Sequence, residues 1–137
     1  MTTALFSQNP IDIHSLSDLN ALCEASPTGR ARLCMHRSPS EEFQAMLIAI
    51  CPHHYIIPHK NVKPGHILYI IQHGRVIIEH EDRQFYLSCD GHISVCLSKA
   101  SYRSLRNPDN SISRYWEIHI GSHSSRDIIW DSVTLKV

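Results

Sequence analysis

The stretch 56–76, IIPHKNVKPGHILYIIQHGRV, sets His59 and Asn61 two residues apart among β-branched and aromatic neighbours. On a strand such residues share one face, about 7 Å apart, where two side chains can converge on one cation. Only His59 is an imidazole; Asn61 offers a weaker amide oxygen. A second constellation lies in SRYWEIHI, 113–120. There Tyr115, Glu117 and His119 alternate with Trp116, Ile118 and Ile120. Glu117 either faces inward as ligand, acid or base with His119 beside it, or faces solvent while the apolar set forms the core. With both carboxylate and imidazole inward, His59 and Glu117 form a candidate acid and base pair.

Other chemistries find little support. The chain has no G-x-S-x-G elbow, no cysteine next to a histidine, and only five glycines, so neither a nucleophile motif nor a phosphate-cradling loop is present. His53, His54 and His73 sit in turns, and His36, His80, His92 and His123 at strand ends or in loops without ligand spacing.

The elements that must position these residues are short. Residues 15–26, SLSDLNALCEAS, place Leu16, Leu19, Leu22 and Cys23 on one helical face, with Ser15 as the expected cap and Pro27 and Gly29 as the stop. From Arg30 the period becomes two: RARLCMH, FQAMLIAIC, YIIPHKN, ILYIIQ, RVIIEH, RQFYLS, ISVCLS, YRSLR and SRYWEIHI follow at regular intervals. Lys63-Pro64-Gly65, His73-Gly74, Glu81-Asp82, Asp90-Gly91 and Asn107-Pro108-Asp109-Asn110 supply turns between them. An all-β sandwich or small barrel with one helix packed outside it is expected, a jelly roll first. We delimit an N-terminal extension at 1–14, a single domain at 15–122 and a C-terminal extension at 123–137, in which Ile128, Ile129 and Trp130 can dock on the body or on a second subunit.

Composition narrows the partners. The 137 residues suit one domain, and thirteen basic side chains balance thirteen acidic ones without a charged run. That balance argues for a small-molecule ligand and against nucleic acid or a membrane surface. Five cysteines without a C-x-x-C pair, behind an N-terminus that lacks an export pattern, fit a cytoplasmic protein. No apolar run reaches the roughly 18 to 20 residues that span a bilayer.

The stretch ASPTGRARLCMHRSPSEEFQAMLIAICPHHYIIPHKN, followed by a strand, a His-Gly-Arg turn and a second strand, resembles the cupins of the WbuC type. The likeness runs from about Leu16 to Ser122. It implies a jelly-roll barrel, often a homodimer, with one divalent cation inside, zinc, iron, manganese or nickel. In the cupin pattern H-x-H is followed by a Glu and later a Gly. His59 matches the first histidine and Asn61 replaces the second. Counting forward from Asn61 puts His66 at the Glu position, whereas counting back from Gly74 puts Ile67 there, so one inserted residue decides which faces inward. The metal reading uses His59, His66 and Asn61.

The strand KASYRSLRN places Arg103 where the family's last histidine stands, and a guanidinium has no lone pair for a metal. Its charge beside a divalent cation would cost roughly a few kcal/mol. A metal-free alternative follows, with Arg103, Tyr69 and His119 binding the ligand and Arg103 holding an anionic group. Two functions stand: an enzyme acting on a sugar or other polar metabolite, with catalytic His59 and Glu117, or a non-catalytic module for ligand binding, dimerisation or accessory duty.

Overall fold

A computed structural model describes residues 3–6, 10–36, 42–120 and 128–130. The chain order is β1 (Thr3–Phe6), α1 (Ile13–Ala25), β2 (Arg30–Cys34), β3 (Phe43–Ile50), β4 (Tyr55–Asn61), β5 (His66–His73), β6 (Arg75–His80), β7 (Arg83–Ser88), β8 (Ser94–Ser98), β9 (Arg103–Arg106), β10 (Ser113–Ile120) and β11 (Ile128–Trp130). Two sheets, ordered β1-β2-β3-β10-β5-β8 and β11-β4-β9-β6-β7, face each other as a jelly roll. Every strand expected from the two-residue period is present. The terminal stretches add two more: β1 pairs parallel with β2, and β11 pairs antiparallel with β4. His123 lies outside the described residues.

The helix begins at Ile13, and its cap is Asp12, not Ser15. Asp12 Oδ1 accepts from the Ser15 amide at 2.9 Å, and the Ser15 hydroxyl oxygen in turn accepts from the Asp12 amide, closing a capping box. Leu19 and Cys23 are the buried stripe of α1, and Leu16 and Leu22 flank them. They cover Ala31, Leu33, Leu47 and Ala49, which belong to the outer faces of β2 and β3. Because α1 lies there, β3 is apolar on both faces: Met46, Ile48 and Ile50 point the other way, into the barrel. That interior core also takes Ile56, Ile67, Tyr69, Ile71, Val76, Ile78 and Leu105.

Turns fix the register. The β6–β7 hairpin sets Glu81 and Asp82 at φ 49° and 42°, both positive, as the two-residue I′ type of turn requires. Gly65 sits at φ +142°, and a Cβ there would stand 2.7 Å from Lys99 Cε, so this glycine makes room for a buried lysine. Asn107 does more than turn the chain. Its Nδ2 donates to the carbonyls of Ile50 at 3.0 Å, Cys51 at 3.2 Å and Ser111 at 2.8 Å, and its Oδ1 accepts from the Asp109 amide and the Ser113 hydroxyl. The side chain is buried, so removing it strands the buried Ile50 carbonyl and breaks the ties to Cys51, Ser111, Asp109 and Ser113. Asn107→Ala is expected to lower unfolding free energy by about 3 kcal/mol, read from urea denaturation.

Candidate functional site

The inner faces of the two sheets meet around Arg103. On one sheet, register aligns Cys34, Met46, Glu117 and Tyr69 in one row and Gln44, His119 and Ile67 in the next. On the other, His59, Arg103 and His80 lie side by side across β4, β9 and β6. A bulge in β4 between Ile56 and His59 keeps Ile56 in the core and still turns His59 and Asn61 inward.

Arg103 is 2% exposed. Its Nε donates to the Tyr69 hydroxyl at 2.7 Å, one terminal nitrogen to Asn61 Oδ1 at 2.9 Å and the other to the Lys99 carbonyl at 3.3 Å. The Tyr69 hydroxyl is within hydrogen-bonding reach of the Glu117 carboxylate, and His119 Nε2 lies 3.1 Å from Glu117 Oε2. The chain Arg103, Tyr69, Glu117, His119 therefore crosses from one sheet to the other. Burial drives the Tyr69 hydroxyl well above its ordinary range, with Arg103 opposing, so it stays a neutral donor. Burial acts to lower Arg103, but Tyr69 and Glu117 outweigh it, and the guanidinium remains charged.

His59 is 6% exposed. Its Nδ1 lies 3.0 Å from the Ile57 carbonyl, which assigns the proton to Nδ1 and leaves Nε2 as the acceptor. Burial, and then the charge of Arg103, lower its pKa from 6.5 to about 4. The Trp130 ring of β11 closes over it, centroids 4.8 Å apart at 38°.

The sequence candidates separate accordingly. His59, Asn61, Tyr69, Arg103, Glu117 and His119 all reach the interior, whereas His66 is exposed and Ile67 takes the inward position, fully buried. The extra residue therefore lies before position 67, in the Val-Lys-Pro-Gly turn. His66 is corrected from ligand to surface residue. Asn61 also leaves the metal set, since its Oδ1 accepts from Arg103. Among the described residues no group of three or more His, Cys, Asp or Glu side chains gathers to hold a metal. One imidazole beside a fixed guanidinium charge does not fit a divalent cation. Trp130 docks on the body.

Two residues were missed. His80, set aside as a strand-end residue without ligand spacing, is buried with Nε2 3.3 Å from the Ser98 carbonyl. Lys99 is buried, its Nζ donates to the Ile120 carbonyl at 3.3 Å, and its own carbonyl receives the Asn61 amide at 2.7 Å. The alternation of β6 carried the signal for His80, because Val76 and Ile78 are inward and position 80 continues their face; nothing local marked Lys99. Outside the barrel, a groove of about 520 Å³ runs past Glu79, Glu81, Asp82 and Tyr102. Glu79 and Glu81 there already accept from Gln84 and Ser101.

Residues 11–96 of the 137 match the family described as Domain of unknown function (DUF6016). No curated protein sequence matches the chain. Solved structures with the same fold include a cupin superfamily protein from Desulfitobacterium hafniense DCB-2, with a TM-score of 0.60, 14% identity, and coverage of 83% of this chain and 92% of that one. KdgF from Halomonas sp. gives a TM-score of 0.60 at 13% identity, covering 74% of this chain and 86% of its own. Oxalate oxidase in complex with the substrate analogue glycolate gives 0.61 at 9% identity, covering 81% of this chain and 59% of that one. Identities this low establish the cupin jelly-roll fold and nothing finer.

The lowered pKa of His59 makes stability pH-dependent. Below pH 6.5 the unfolded chain takes up the imidazole proton while the folded chain does not until about pH 4. Stability contributed by the neutral ring is thus present above pH 6.5 and lost as pH falls to 4, by roughly 3 kcal/mol in total. Urea titrations at pH 7 and pH 4 should show a smaller loss for His59→Gln than for the unmodified protein, by about that amount.

Proposed function

We propose that this chain, which belongs to the DUF6016 family and has the cupin fold, is a metal-independent cupin that binds a small polar or anionic molecule in its barrel without transforming it. The observation that carries this reading is Arg103: a buried guanidinium, hydrogen-bonded to Tyr69 and Asn61, stands where a cation would need open donor atoms. His59 supports it further. An imidazole with a pKa of about 4 is a weak base at neutral pH, which argues against catalysis by a His59 and Glu117 pair.

One observation favours the enzymatic alternative, action on a sugar or other polar metabolite. Glu117, its side chain 14% exposed, has His119 at 3.1 Å, and this pair can shuttle a proton without His59. The WbuC-type likeness belongs to the proposal as well, supported by the inward His59 and Asn61 of β4.

Metal content tests the main reading. Tag-free protein is expected to carry far less than one equivalent of zinc, iron, manganese or nickel by elemental analysis, and its melting temperature should not move when chelator or any of these ions is added. Stoichiometric metal lost on His59→Ala would overturn it.

We extend the proposal to a homodimer in the cytoplasm. Phe43 and Ile120, 61% and 60% exposed, face each other across β3 and β10 on the outside of the sheet, an apolar pair suited to a second copy. Light scattering at micromolar concentration should give twice the chain mass, and a monomer would rule the dimer out.

A further inference from the structure

We infer that the inner face of β2 is an oxyanion site, where Arg30 and Arg32 bind the carboxylate or phosphate group of the barrel's ligand. This inference rests on the reading of the barrel as a ligand pocket.

Ala31 and Leu33 of β2 pack under α1, so Arg30, Arg32 and Cys34 take the opposite face. Register sets Arg32 beside Ile48, which is itself beside Tyr115, and Arg30 beside Ile50. All three of those neighbours are buried core residues, so the two arginines start from the barrel wall. Both are half-buried, and Arg30 reaches Trp130 of β11.

Both arginines also carry an unmet donor. The Nε atoms of Arg30 and Arg32 are buried and meet no hydrogen-bond acceptor among the described residues. Neither guanidinium has a carboxylate beside it there. Arg32 touches the Met46 sulfur at 3.9 Å, and Arg30 lies over the Trp130 ring at 5.5 Å. Contacts of this kind leave N–H donors unused, and buried donors are normally satisfied. Two guanidinium groups two residues apart on one strand face repel each other until an anion lies between them. Each offers a planar fork that matches carboxylate or phosphate oxygens. Trp130, also packed against His59, would form the wall on the far side and report on occupancy.

Inorganic phosphate and malonate serve as probes at constant ionic strength, with chloride as the blank. In a Trp116→Phe background the emission of Trp130 is expected to change saturably with at least one of them. Phosphate alone identifies a phosphate-bearing ligand, malonate alone a carboxylate; either result supports the site. Arg30→Gln and Arg32→Gln should each weaken binding about tenfold or more, Arg32→Lys should retain part of it, and the exposed Arg106→Gln should leave it unchanged. The inference is overturned if neither probe saturates, or if binding survives both glutamine substitutions in variants whose circular dichroism is native. Binding that survives them but is lost in His59→Gln would place the anion deeper, leaving the pocket reading intact while this site fails. Stoichiometric metal, by contrast, sinks the metal-independent reading without touching the two arginines.

Discussion

A guanidinium charge inside the barrel of a 137-residue chain has to be met by acceptors, and the rest of this structure is arranged around that requirement at Arg103. A buried ion without partners costs several kcal/mol, far more than a small domain can leave uncompensated. Three acceptors meet it from three directions: the Tyr69 hydroxyl on the opposite sheet, the Asn61 amide oxygen on the neighbouring strand and the Lys99 carbonyl in the loop after β8. The Lys99 carbonyl also holds the Asn61 amide, so one backbone group orders two members of the cluster. Glu117 then balances the charge through Tyr69.

This arrangement makes the interior a polar centre set in an apolar frame. Met46, Ile67, Ile78 and Leu105 belong to that frame, and their burial supplies the driving force for bringing the sheets together. The cross-sheet bonds give specificity of register. A one-residue slip of β9 would turn Arg103 out to solvent and draw Tyr102 or Ser104 inward, leaving Tyr69 and Asn61 without their donor. His59 stays neutral for the same reason, because a second cation beside Arg103 is disfavoured both by its charge and by the lack of water.

Much of this was legible in the chain itself. Period-two patterning and turn residues mark the strands, the i, i+2 spacing marks His59 and Asn61, and the family resemblance marks Arg103. What neither the patterning nor the resemblance can say is which face of a strand is inside. In β10 the apolar residues Trp116, Ile118 and Ile120 look like the core face, yet Tyr115, Glu117 and His119 are inward. Trp116 packs in the α1 cluster, and Ile120 is exposed. In β2 the apolar residues Ala31 and Leu33 serve α1, and the arginines face the barrel. A helix laid on a sheet gives that sheet two apolar faces, and alternation alone does not distinguish them.

The sequence by itself determined the jelly-roll class, the helix, and the set of residue types available to the site, because hydrophobic period and turn chemistry are local properties. Tertiary structure decided whether His66 or Ile67 faces inward, since the inserted residue could be absorbed in the turn or in the strand with equal local ease. It decided that Asn61 serves Arg103, because their hydrogen bond joins residues 42 positions apart. It also decided the burial of Lys99, which depends on the space left by Gly65 and on the Ile120 carbonyl, two groups far from it along the chain. Contacts of that range exist only once both sheets are in place.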